Sequence, residues 1–143
     1  MFWDSSALIT LLAAQPGASE LEKIARDAPS MVLWWGTRVE LASGACRLRR
    51  SGNLDERKQH DLFGMIERVT SDADQIEPTE QVRAASIRVL RVHSLRAADA
   101  LQLAAALAWT DHSPSGAPFV CLDKRLREAA EREGFTVLPE LAA

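Results

Sequence analysis

The order of apolar runs along this 143-residue chain predicts an α/β fold, a short parallel sheet with helices on both faces. Three observations carry that expectation. Short β-branched and aromatic runs (FW, MVLWW, FVCL, FTVL) alternate with longer stretches whose apolar residues recur at helical spacing. Stop signals separate them: Gln15-Pro16-Gly17, Pro29, Ser51-Gly52-Asn53 and Gly134. No internal repeat, low-complexity tract or linker divides residues 1–143, which read as one domain long enough to bury a real core.

Taken in order, FW opens as a very short strand and SALITLLAA follows as a helix. ASELEKIARDA is a second helix, and MVLWW is a strand by its β-branched and aromatic content. From Thr37 to Arg50 the pattern is helical again. LDERKQHDLFGMIERVT sets Leu62, Met65, Ile66 and Val69 on one side of a helix. DQIEP is a weak edge-strand candidate, and TEQVRAASIRVLRVH aligns Val82, Ala85, Val89 and Val92. LRAADALQLAAAL, rich in the best helix formers, continues to about Trp109, with Ser94 as its expected cap. DHSPSGAP is a loop, FVCL a buried strand, DKRLREAAEREG a helix, and FTVL the last strand.

Composition excludes several classes. With 47% hydrophobic and 26% charged residues the chain is an ordinary globular protein. No apolar run approaches the ~20 residues that span a bilayer. MFWDSSALITLLAAQ lacks the basic start of a secretion signal. Cys46 and Cys121 fit neither a disulfide framework nor a zinc spacing, so a cytoplasmic setting is expected. A net charge of −3 rules out a generally basic nucleic-acid coat. Locally, Arg83, Arg88, Arg91 and Arg96, with His93, form a stretch without acids, and Arg47, Arg49 and Arg50 form another. Each reads either as a solvated helix face or as a phosphate-contacting strip.

Four acids stand at four helix starts: Asp4 after FW, Glu40 after MVLWW, Asp99 in the Leu/Ala helix and Asp123 after FVCL. Each has a local explanation. Asp4 and Asp123 suit N-caps, Thr37-x-x-Glu40 matches a capping box, and Asp99 complements a helix dipole. Jointly they point further. The carboxyl ends of parallel strands and the following helix N-termini share one edge, where such folds bind ligands. Three of the acids follow strands directly, whereas Asp99 depends on its helix folding back. Clustered carboxylates repel unless protonated or joined by a cation, and hard oxygen ligands suit Mg²⁺ or Mn²⁺. His60, His93 and His112 are scattered, with surface or capping roles expected, and no phosphate-binding glycine loop occurs. Metal-assisted phosphoryl hydrolysis is the chemistry left.

On these residues the chain resembles the PIN-domain nucleases, specifically the VapC-type toxins of type II toxin–antitoxin pairs. The family's D-[ST]-S-x-L is present as Asp4-Ser5-Ser6-Ala7-Leu8, and the second acid as Glu40 in TRVELASG. Its D-A-L-x-L-A-x-A is present as Asp99 to Ala106, and the fourth acid as Asp123 in FVCLDKRLREAAEREGFTVL. The resemblance runs from Phe2 to Val137 and implies a PIN-like three-layer α/β/α fold. It also implies a ribonuclease dependent on Mg²⁺ (or Mn²⁺), with Asp4, Glu40, Asp99 and Asp123 lining the site. Asp4 and Asp99 would ligate the metal, Asp123 would ligate it directly or through water, and Glu40 would ligate or orient. Ser6 would hydrogen-bond a carboxylate or a metal-bound water.

Implied with it are a structured RNA substrate such as a transfer RNA or ribosomal RNA loop, a cognate antitoxin and a homodimer, with no membrane. Trp34, Trp35 and Phe63 are candidates for a dimer or antitoxin surface, although strand alternation buries one of two neighbouring tryptophans. Only Met1, Phe2 and Trp3 precede Asp4, a short strand even for an edge; either it is minimal or the native start lies elsewhere. The competing readings are a housekeeping PIN nuclease for RNA maturation or DNA cleavage, and a non-catalytic PIN-like binding module.

Overall fold

The structure, a computed structural model, describes residues 1–141. The strands are β1 (Phe2–Trp3), β2 (Val32–Trp34), β3 (Asp74–Ile76), β4 (Pro118–Val120) and β5 (Thr136–Leu138). The helices are α1 (Ser5–Leu12), α2 (Ala18–Asp27), α3 (Thr37–Arg50), α4 (Glu56–Asp72), α5 (Glu80–Val92), α6 (Ala97–Trp109) and α7 (Lys124–Glu133). All strand pairs are parallel, in the order β3-β2-β1-β4-β5. DQIEP does form an edge strand.

The two-residue β1 is the central strand rather than an edge. Phe2 pairs with Val32 on one side and Phe119 on the other, and Trp3 pairs with Val120. Flanking backbone groups lengthen its ladder: Val32 donates to the Met1 carbonyl at 3.0 Å and Asp4 to the Val120 carbonyl at 2.9 Å. Both side chains are fully buried, so burial on two faces compensates for the strand's brevity.

Strand alternation sorts the core into two layers. Phe2, Val32, Trp34, Phe119, Cys121 and Val137 pack with α5, α6 and α7. Trp3, Leu33 and Val120 pack with α1 to α4. Phe2 stacks on Phe119 at 5.3 Å between ring centroids, and Phe119 meets Phe135 at 5.4 Å. Trp34 is 7% exposed and Trp35, past the strand end, 52%. Gly36 is required at that turn because a Cβ there would lie 2.5 Å from the Trp34 Nε1.

Asp4, Asp55, Thr79 and Asp123 cap their helices, each side chain accepting from a backbone N–H of the first turn. Two expected caps are absent. Helix α6 begins from Arg96 without a side-chain cap, so Ser94 does not serve it. Thr37 lies inside α3, whose N-cap is Gly36, and its hydroxyl accepts from Gln102 instead of closing a capping box with Glu40.

Helices α5 and α6 fold back on each other, which returns the start of α6 to the sheet edge. His60 and His112 are exposed, whereas His93 is the C-cap of α5, the capping alternative, with a buried side chain that meets Glu133 at 2.6 Å. Arg88 joins the same carboxylate at 2.7 Å and Arg83 pairs with Glu80, while Arg91 and Arg96 make no ion pair among the described residues. No helix among the described residues is long and apolar enough to cross a membrane.

Candidate active site

The carboxyl ends of β1 and β4 lead directly into α1 and α7, so Asp4 and Asp123 sit where strand gives way to helix. Asp4 is 2% exposed. Its Oδ2 accepts from the Ser6 backbone N–H at 3.0 Å, from the Ser6 hydroxyl and, at 3.6 Å, from the Cys121 thiol. Ser6 Oγ in turn accepts from the Leu122 N–H at 3.1 Å, tying α1 to the end of β4. Ser6 therefore serves a carboxylate, one of its two expected partners. Burial raises the Asp4 proton affinity above the usual carboxylate range even though these hydrogen bonds oppose it.

Glu40 projects from the first turn of α3. Ser5 Oγ donates to its Oε1 at 3.1 Å and Gln102 Nε2 to its Oε2 at 2.8 Å. Its pKa is pushed up to about 7, chiefly by burial, with the Gln102 hydrogen bond opposing and the charges of Asp4 and Asp99 adding. Asp99, in the first turn of α6, is pushed up to about 6 by burial first and then by Asp123 and Asp4, against the nearby Arg96. Asp123 stands exposed at the rim, its Oδ1 accepting from the Leu126 N–H at 2.9 Å. The four acids thus form a gradient from the buried Asp4 to the exposed Asp123.

Glu40 senses the charges of Asp4 and Asp99, and Asp99 those of Asp123 and Asp4. Among the described residues, no three Asp, Glu, His or Cys side chains stand as a ready-made cation cage. The donor set is nevertheless all carboxylate oxygen, with the Glu40 and Asp99 proton affinities raised partly by neighbouring negative charge, and that chemistry fits a hard divalent cation.

A family model described as "PIN domain" matches residues 1–132. The chain belongs to the PIN-domain family. It is 30% identical over 143 residues to "Ribonuclease VapC45" of Mycobacterium tuberculosis (strain CDC 1551 / Oshkosh), covering 97% of this chain and 94% of that protein. The same identity and coverage hold for "Ribonuclease VapC49" of Mycobacterium tuberculosis (strain ATCC 25618 / H37Rv). This PIN domain is accordingly of the VapC type. The crystal structure of FitAcB from Neisseria gonorrhoeae shares its fold, with a TM-score of 0.67, 17% identity and 96% of each chain covered.

Sequence reasoning passed over three groups of this PIN domain's candidate site: Ser5, Cys121 and Gln102. Gln102 left the clearest signal. It is the one amide in the Leu/Ala helix and lies three residues past Asp99, on the same helical side.

Proposed function

We propose that this PIN domain is a divalent-metal-dependent endoribonuclease toxin, cutting structured RNA and silenced by a cognate antitoxin. The observation that carries the reading is the gathering of Asp4, Glu40, Asp99 and Asp123 at one sheet edge, where neighbouring carboxylates add to burial in raising the proton affinities of Glu40 and Asp99. Similarity over nearly the full chain to two VapC proteins named as ribonucleases supports RNA as the substrate.

Asp4 and Asp99 would hold Mg²⁺ or Mn²⁺, with Asp123 and Glu40 completing or orienting the set. When bound, the ion supplies a more readily deprotonated water and positive charge for the leaving oxygen. The protein's own groups do the rest. Ser6 fixes the Asp4 carboxylate through its hydroxyl and backbone N–H. Glu40, poised near neutral pH, can take up or release a proton while Ser5 and Gln102 hold it in place. Arg91 and Arg96, uncommitted to ion pairs among the described residues, would meet phosphates flanking the cut. A transfer RNA or ribosomal RNA loop, a second copy of the chain and a cytoplasmic setting complete the proposal.

The test is cleavage of total cellular RNA by the purified protein and by Asp99→Asn, in Mg²⁺, Mn²⁺ and EDTA, with the cut ends sequenced. Metal-dependent cuts lost in the variant are expected. Folded, antitoxin-free protein that makes no cuts would return the chain to the binding-module reading, and equal cutting by the variant would remove Asp99 from the chemistry.

A further inference from the structure

Gln102 is fully buried in the apolar face of α6, where an aliphatic side chain would fill the space without any unpaired polar atom. Its amide instead reaches across the sheet edge to α3. Nε2 donates to Glu40 Oε2 at 2.8 Å and to Thr37 Oγ1 at 3.0 Å, and its Oε1 is left buried without a partner. This orientation sets the amide's donor, and not its oxygen, against the carboxylate, as an ionised Glu40 requires. Ser5 of α1 holds the other Glu40 oxygen, so the carboxylate is gripped from both sides of the sheet: α1 and α3 pack on one face and α6 on the other. Asp99 lies one turn before Gln102 on that same helix.

We propose that Gln102 is a positioning residue, which with Thr37 locks the Glu40 carboxylate in register with Asp99 across the sheet edge. The inference deepens the nuclease reading and rests on it. An orphaned amide oxygen in a packed helix marks a residue retained for the bond its nitrogen makes. Removing the donor leaves Glu40 held by Ser5 alone, free to turn away from the position that the helices set.

Gln102→Met keeps length and bulk but removes the donor, and Thr37→Val removes the second acceptor while preserving shape. The experiment measures kcat and KM on the cleaved RNA, Mn²⁺ affinity by calorimetry, and a double-mutant cycle with Glu40→Gln. Loss of an orienting hydrogen bond is expected to lower kcat and Mn²⁺ affinity about 10- to 100-fold in Gln102→Met, with KM for RNA unchanged. Thr37→Val should move the same quantities the same way by less, and it carries the test should Gln102→Met fail to fold. In the Glu40→Gln background Gln102→Met should add nothing, because its effect runs through Glu40. Wild-type kcat and Mn²⁺ affinity in both variants, or a full additional loss in the Glu40→Gln background, would overturn the proposal alone. A wild-type protein that neither binds Mn²⁺ nor cuts RNA would overturn the nuclease reading, and the proposal with it.

Discussion

Replacing Asp99 by Asn should make the metal-free protein more stable while abolishing its chemistry. The carboxyl's pKa rises from an ordinary 3.8 to about 6 in the fold, a differential cost of up to ~3 kcal/mol for the ionised form. Asp99 is only half-buried, so water screens part of that, and about 1–1.5 kcal/mol is the realistic gain. In a chain of this size it corresponds to a Tm rise of roughly 3–6 °C. The sign follows from linkage. With the folded pKa raised, wild type is penalised only once Asp99 ionises, so the gain is absent below the unfolded pKa near 3.8. It grows as pH climbs toward about 6 and is constant above. Denaturant unfolding of both proteins in EDTA across this range is the assay, repeated with saturating Mn²⁺, where wild type should recover the difference. A variant that is less stable at neutral pH, or whose gain does not change with pH, would refute the charge-crowding argument.

Other perturbations probe separate parts of the account. Ser6→Ala removes the hydroxyl that bridges Asp4 and the Leu122 N–H, and should cut the cleavage rate about 10- to 100-fold with the fold retained, as read by single-turnover kinetics and circular dichroism. Arg96→Gln should weaken RNA binding and reduce the salt slope by about 1, while Arg83→Gln, whose charge already pairs with Glu80, should change it less; equal slopes would return Arg96 to a solvated face. Glu133→Gln breaks the carboxylate shared by His93 and Arg88 and should destabilise the protein by about 2–3 kcal/mol at neutral pH. Because those partners hold the Glu133 pKa below its ordinary value, that loss should fade as pH falls through the acid range, which urea unfolding would detect.

The architecture was legible because its signals are local and repeated. Strand runs, helical spacing and stop residues each name an element by themselves, and even the edge strand at Asp74–Ile76 could be read. Less legible was anything set by pairing across the chain. Nothing in FW says that two residues can form the centre of a sheet, since the ladder is completed by Met1 and Asp4 backbone groups. The Thr37-x-x-Glu40 pattern is indistinguishable from a capping box until Gln102, 65 residues on, engages the threonine. Likewise His93 reads as a surface or capping residue, and nothing local says that α7 brings Glu133 to its buried ring. The acids themselves were visible, Asp4, Glu40 and Asp123 where a strand hands over to a helix and Asp99 in a helix's first turn. Their differing burial was not, because it depends on which elements cover each one.

The central claim is that these carboxylates make one divalent-cation site, and Mn²⁺ binding to the purified protein, followed by water-proton relaxation, tests it most directly against Asp4→Asn. The account predicts saturable binding that is lost or greatly weakened in the variant and competed by Mg²⁺. Binding of equal strength in both proteins, or none in wild type, would contradict it.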